Sequence, residues 1–416
     1  MTEKKIVILG GGFGGIRTAL DLAKSNLSGV KIQLISDQPH FEYHAALYRV
    51  VTGRSPLEVC VPLAEIFAGK DNVEIVRDRV NKIDLSAKFL TGESGSRYTF
   101  DYLVIALGSE TSYFGISGLP EFSFGFKSIS EALRLKNHLH QLFGGCAKGQ
   151  SEDKICGSHL VVVGGGASGV ELAGELAIYS KALAQKHNLD PLLVTIDLIE
   201  AAPRLLPALA PEVSEKVKAR LHDLGVNIFL NRTLVKEEVG NIQLKDMMIQ
   251  TKTVIWTAGV KNNSLLAGIT GLQFDKKGRV LVDETLRLSN FPNVFVVGDS
   301  AATIYSGMAQ TAVSNARYVA RAISSLLASN QNQKKLPAYQ PEKPFSSIPV
   351  GPGWAATVLG SATLYGYLGW FLRRYADFRY FRSILPFRKA LLAFGDTKVL
   401  SESCPVCNPS GQLEFK

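Results

Sequence analysis

Two short glycine clusters hold the residue types that can grip a phosphate chain. Gly10, Gly12 and Gly15 in GGGFGG satisfy the spacing G-x-G-x-x-G, and Gly164, Gly166 and Gly169 in GGGASG satisfy it again. In such a loop the first glycine permits a tight turn and the second lets a pyrophosphate approach the backbone. The third lets the following helix pack close to its strand. The helix N-terminus then faces the negative phosphates. Each cluster has the context this chemistry requires, an apolar run before it (Lys5–Leu9, His159–Val163) and an amphipathic run after it. A ribose-binding acid is expected at the end of the next strand. In the first unit that position falls near Ser36, with Asp37 immediately after, and the choice between them is open. In the second it is Glu200, a carboxylate that can accept hydrogen bonds from the 2′- and 3′-hydroxyls of NADH and repel the 2′-phosphate of NADPH. NADH is therefore the expected nucleotide, and Arg204 is the nearby group that could instead serve a phosphate.

These loops need strands and helices to hold them. Lys5–Leu9, the first loop, a helix to Leu27 and a strand Val30–Ile35 make one β–turn–α–β unit. His159–Val163, the second loop, a helix through Leu183 and Val194–Ile199 make another. Gly10 and Gly164 stand 154 residues apart, so the repeat predicts two dinucleotide-binding domains. Further strands are expected at Val73–Val76, Lys88–Leu90, Tyr102–Ala106 and Asn293–Val297, the last leading into Gly298–Asp299 and a helix to about Leu327. Ala328–Pro344 has the composition of a linker.

The chain has 416 residues, enough for two or three domains, with 46% hydrophobic and 20% charged residues. That balance excludes a largely disordered chain. A net charge of +9 favours anionic partners. Five cysteines cannot build a disulfide framework, which suggests a reducing compartment. The apolar run Ile6–Leu9 is too short for a signal peptide. Trp354–Leu372 is uncharged and long enough to span a bilayer. Its glycines and the alternation at Ala356–Val358–Gly360 favour strand followed by helix. Cys404 and Cys407 form a C-x-x-C without partners for a four-ligand site, and the histidines show no metal spacing, so no metal is expected.

The segments IVILGGGFGGIRTA, HFEYHAALYRVVTG, YLVIALGS, LVVVGGGASGVELAGELA, LIEAAPRLLP, VIWTAGV, NVFVVGDSA and AQTAVSNA together resemble the two-dinucleotide-binding flavoprotein oxidoreductases, and most of all the type II NADH dehydrogenases. The resemblance covers about residues 3–330 well and the tail loosely. It implies an α/β fold with two Rossmann-like domains, for FAD and NADH, plus a C-terminal membrane-associating segment. The implied boundaries are 1–115 with 285–335 for FAD, 116–284 for NADH, and 336–416 for the tail. It also implies an FAD site at Gly10, Gly12, Phe13, Gly14, Gly15, Ser36, Asp37, Val80, Leu107, Gly108, Gly298, Asp299, Ala309, Gln310 and Thr311. There Asp299 would accept a ribityl hydroxyl and the helix opening at Ala309 would point its amides at the flavin. NADH would meet Gly164, Gly166, Ala167, Gly169, Glu200, Ala258 and Gly259, with Glu171 as the acid close to the nicotinamide. Quinone contacts are implied at Gln310 and Ser314. Ser314 stands where the family often has a second amide, and Leu107 where Thr is common. A dithiol relay to the flavin is not expected, because only Cys60 lies in the stretch where disulfide reductases carry their pair.

The tail has its own chemistry. Residues 364–389 hold nine aromatics, and six basic residues oppose only Asp377. On a helical wheel Leu364, Leu368, Phe371, Tyr375 and Phe378 share one face, with Arg373 opposite and Arg374 at the flank. An apolar face flanked by arginines suits a helix lying on an anionic membrane surface, and no nucleic-acid module accompanies the charge. The implied function is a peripheral flavoprotein on the cytoplasmic face of a membrane. It would pass a hydride from NADH to FAD and two electrons on to a quinone, without proton pumping. A homodimer is left open. The alternatives are a soluble NADH-dependent reductase with another acceptor, and an NADH-sensing flavoprotein resembling apoptosis-inducing factor.

Overall fold

A computed structural model describes residues 3–25, 27–147, 158–328 and 335–395. Its chain divides into two compact units, each assembled from separated segments. The first comprises Met1–Glu42, Cys60–Glu110 and Lys261–Pro344; the second comprises Tyr43–Val59, Thr111–Val260 and Phe345–Lys416.

The first unit is organised by a six-stranded sheet. Its strands lie in the order Arg287–Leu288, Phe291–Val296, Tyr102–Ile105, Lys4–Leu9, Val30–Ser36, Val73–Arg77. All neighbours are parallel except the first pair. Strands buried on both faces read as continuous apolar runs, and Ile6, Val7, Ile8, Leu103, Val104 and Ile105 are all fully buried. Helix Phe13–Lys24 packs against helix Ala309–Ala328.

The second unit repeats the design with five parallel strands, in the order Phe124–Gly125, Thr253–Trp256, His159–Val163, Thr195–Ile199, Val226–Phe229. The repeat extends to register. Leu9 pairs with Ile35 and Val163 with Ile199, and the next residue, Gly10 or Gly164, donates its amide to the Ile35 or Ile199 carbonyl at 2.8 Å in both. The expected α/β architecture with two dinucleotide-binding sheets is thus observed.

The tail belongs to the second unit. Antiparallel strands Ser346–Pro349, Ala355–Leu359 and Ala362–Leu364 carry helix Gly366–Ile384, followed by helix Phe387–Gly395. The stretch Trp354–Leu372 is therefore strand followed by helix, as its composition indicated, and no described helix is long and apolar enough to cross a membrane. Gly369 sets the approach of the tail helix, because a Cβ there would fall 2.3 Å from the Ala355 carbonyl oxygen.

Candidate active site

In the first unit the glycines stand as the phosphate chemistry requires. Gly10 has φ of +115°, and a Cβ on it would lie 2.4 Å from the Ala106 oxygen. A Cβ on Gly15 would lie 1.9 Å from the Gly10 oxygen, so helix and strand close on each other only without a side chain. Gly12 faces open space, with nothing within 4 Å of its Cβ position. It caps a helix with no side-chain cap and no acid in its first turn, which leaves the first-turn amides to an anion.

Other candidate residues converge on this loop. The Cβ position of Gly14 is 2.9 Å from Val297, and that of Gly298 is 3.2 Å from Ala312. Gly108 also faces open space. Asp299 Oδ2 accepts from the Ser109 hydroxyl at 2.8 Å, and the buried Asn315 accepts the Gly298 amide at 3.1 Å. Phe13 sets its ring edge-on to Phe41 at 5.0 Å. Ser36 occupies the register position that Glu200 holds in the other repeat, beneath Gly11, while Asp37 pairs with Arg79 at 3.2 Å on the surface. Val80 buries its side chain in the hydrophobic core, so only its main chain is left for a ligand, and Leu107 packs against the same cluster. On helix Ala309–Ala328, Gln310 is exposed, Thr311 turns its hydroxyl to the Tyr305 oxygen at 2.8 Å, and Ser314 accepts from Tyr339 at 3.3 Å.

The second loop reproduces the first. Gly164 has φ of +118°, and its Cβ position is 2.8 Å from the Ala258 Cα. Gly169 would clash with the Gly164 oxygen if it carried a Cβ, and Gly166 faces open space before an uncapped helix that begins at Ala167. Glu200 holds the loop from below, accepting the Gly165 amide at 2.6 Å and the Ala202 amide at 2.7 Å. Arg204 is not poised for a phosphate. It donates to the carbonyls of Leu209 and Pro207, both at 2.7 Å, and to the Ser214 hydroxyl at 2.9 Å, bracing its own loop.

Helix Ala167–Lys186 also carries an arrangement that the sequence does not announce. Glu171 is buried, not on the helix surface, and its Oε1 lies 3.3 Å from Arg373 of the tail helix. Arg373 also donates to Asp377 at 3.1 Å, to the Ser347 carbonyl at 2.8 Å and to the Ala45 carbonyl. Asp377 takes two further donors, Arg49 at 2.5 Å and the Tyr43 hydroxyl at 2.8 Å. One turn along, Glu175 meets Arg54 at 3.4 Å. Burial pushes the Glu171 carboxyl up to about 7, with Arg373 opposing and Asp377 reinforcing the rise. Burial also acts to raise Asp377, but Arg373 and Arg49 outweigh it and hold that carboxyl below the usual range. The wheel sets Arg373 opposite the apolar stripe, as the structure has it, but neither Arg373 nor the flanking Arg374 is available to an anionic surface. Both are buried, and burial pulls the Arg374 guanidinium pKa down to about 10, while Tyr367, Leu368, Phe371 and Tyr375 are each more than half exposed. The helix turns its charges in because buried partners wait for them.

Comparison with known proteins agrees with this geometry. The family model described as pyridine nucleotide-disulphide oxidoreductase matches residues 4–317. Type II NADH:quinone oxidoreductase Ndh of Mycobacterium tuberculosis is 32% identical over 385 residues, covering 88% of this chain and 82% of its own. The type II NADH:quinone oxidoreductase of Staphylococcus aureus is 30% identical, with 78% and 83% covered. The chain belongs to this family of type II NADH:quinone oxidoreductases. Among solved structures, NDH2 from Plasmodium falciparum in complex with NADH superposes with a TM-score of 0.83 at 19% identity, covering 94% of this chain and 96% of that one. The sulfide:quinone oxidoreductase of Aquifex aeolicus superposes at 0.73 with 21% identity, covering 95% and 96%.

For a type II NADH:quinone oxidoreductase the two open cradles suit two dinucleotides, since each offers bare backbone and helix amides where a pyrophosphate would lie. Cys60 and Cys146 are buried, and Cys156, Cys404 and Cys407 lie outside the described residues. Sequence reasoning passed over Arg49, Tyr43 and the inward role of Asp377. The signal was present only as charged residues inside otherwise apolar stretches.

Proposed function

We propose that the protein is a peripheral membrane flavoprotein that transfers a hydride from NADH to FAD and two electrons on to a quinone, without moving protons across the bilayer. FAD belongs to the first glycine loop with Asp299, and NADH to the second with Glu200. Bound there, the flavin accepts the hydride and supplies the electrons to the quinone. The protein's own part is positioning and charge. The loops admit the pyrophosphates, the uncapped helix ends offset their charge, and Glu200 accepts ribose hydroxyls. Glu171, with its carboxyl near neutrality, holds an exchangeable proton at the buried end of the network.

The observation that carries the choice of a membrane quinone over a soluble acceptor is the polarity of the tail helix. A helix surrounded by water keeps charge outside and apolar groups inside. Here Arg373, Arg374 and Asp377 are buried while Tyr367, Leu368, Phe371 and Tyr375 face outward, as suits contact with lipid. Exposed Arg379 and Arg382 suit an anionic headgroup layer on the cytoplasmic face. The test is an acceptor screen on the purified yellow protein together with cell fractionation. Fast NADH oxidation with a short-chain quinone and recovery in the membrane fraction support the reading. Turnover with soluble acceptors only, in the soluble fraction, overturns it.

A further inference from the structure

Phe114 combines features that folding alone does not favour. It is a bulky residue with φ of +51°, in the left-handed region that favours glycine, and it is 66% exposed. Backbone strain of this kind, held at a residue the solvent can reach, is characteristic of ligand sites. The ring is held from behind. Trp256 meets it edge-on at 6.2 Å, and the Trp256 indole donates to the Ser112 carbonyl at 2.7 Å. The Ser112 amide in turn donates to the Gly259 carbonyl at 3.0 Å. Gly259 lies flush against the ring, since a Cβ there would fall 2.4 Å from two of its carbons.

The sheet order says which part of a nucleotide would reach this ring. Glu200 follows strand Thr195–Ile199 and marks the adenosine ribose. The glycine loop follows the neighbouring strand His159–Val163 and marks the pyrophosphate. Thr257–Gly259 follow strand Thr253–Trp256, on the far side of the loop from Glu200. A dinucleotide lying across the carboxyl ends of these strands therefore runs from Glu200 over Gly166 towards Gly259. We propose that Phe114 is a positioning residue for the nicotinamide half of the dinucleotide, its ring flanking the nicotinamide nucleotide beside Gly259. This rests on the assignment of NADH to the second loop.

The test separates the two ideas by comparing NAD⁺ with ADP-ribose, which has the adenosine ribose and pyrophosphate but no nicotinamide. Calorimetric binding to the FAD-loaded wild type, Phe114→Ala and Phe114→Leu needs no turnover. Leucine retains apolar volume against Trp256 and removes the aromatic face. The expected result is a loss of NAD⁺ affinity of at least about five-fold in both variants, the range for losing an aromatic stacking partner. ADP-ribose affinity should be unchanged, and Phe114→Tyr should restore NAD⁺ binding. NAD⁺ affinity within error of the wild type, or equal losses for both ligands, overturns the role of Phe114. Failure of the wild type to bind either ligand overturns the NADH assignment instead.

Discussion

Arg373 bridges two buried acids, reaching Glu171 at 3.3 Å and Asp377 at 3.1 Å, so one guanidinium of the tail helix holds the helix that opens at the second glycine loop. Asp377 has Arg49 as a second cation and stays ionised, whereas Glu171 shares Arg373 and is only partly compensated. The two carboxyls therefore respond to pH in opposite senses.

Glu171 has a folded-state pKa raised from its ordinary value to about 7. Folding thus favours its protonated form, a contribution complete below the ordinary carboxyl range and lost as pH rises through about 7. The depressed Asp377 contributes above its ordinary range and loses that contribution as pH falls. Glu171→Gln should flatten the decline of Tm between slightly acidic and slightly alkaline pH, and should remove a step near neutrality from the pH profile of quinone reduction. An unchanged profile in the variant would refute the assignment of that step to Glu171. Arg373→Met, by contrast, leaves two acids buried without their shared cation and should cost about 3–5 kcal/mol in denaturant unfolding.

The glycines separate folding from binding. Gly12→Val adds a side chain to open space in front of the first loop, so the protein should remain folded and lose its yellow colour. Gly15→Ala places a Cβ 1.9 Å from the Gly10 oxygen and should lower thermal stability as well. Absorbance and a melting curve on the same samples check both. A Gly12→Val protein that keeps full flavin content would contradict the placement of FAD.

Nucleotide choice should rest on Glu200 alone. Glu200→Gln should narrow the preference for NADH over NADPH by about 1–2 kcal/mol, the scale of one hydrogen bond to a charge. Arg204→Ala should lower stability and leave the preference intact, because its donors are spent on Leu209, Pro207 and Ser214. Comparison of kcat/KM for both nucleotides decides this, and a preference that collapses in Arg204→Ala would show the arginine reading the nucleotide.

What the sequence discloses is what depends on near neighbours. The G-x-G-x-x-G spacing is a local requirement of a turn, so both loops and both flanking strands were legible, down to the shared register of Ser36 and Glu200. The Glu171–Arg373 pair joins residues 202 apart, and no local pattern selects one arginine of five in the tail as its partner. The helical wheel has a related limit. It separates two faces of residues 366–384 and sets Arg373 opposite the apolar one, but it does not show that Arg373 turns inward to a buried acid of another helix. Ser109 was equally silent, because its partner Asp299 lies 190 residues on.

The buried arginines also change the test of membrane attachment. Arg373 and Arg374 cannot report on lipid, since replacing them disturbs the interior first. The informative charges are the exposed Arg379, Arg382, Arg388 and Lys389. With roughly 1 kcal/mol per basic residue close to an anionic surface, their replacement by glutamine should weaken binding to phosphatidylserine-containing vesicles by orders of magnitude. High salt should act in the same direction, as the Debye length shrinks to about 3 Å at 1 M. Leu368→Ser with Phe371→Ser should weaken binding to vesicles of any charge, because those side chains supply the apolar term. NADH oxidation with a water-soluble quinone should persist in all these variants, and activity with a membrane-resident quinone should fall with vesicle binding. A wild type that ignores anionic vesicles at low salt would remove the membrane role of the tail and leave the exposed face to some other contact.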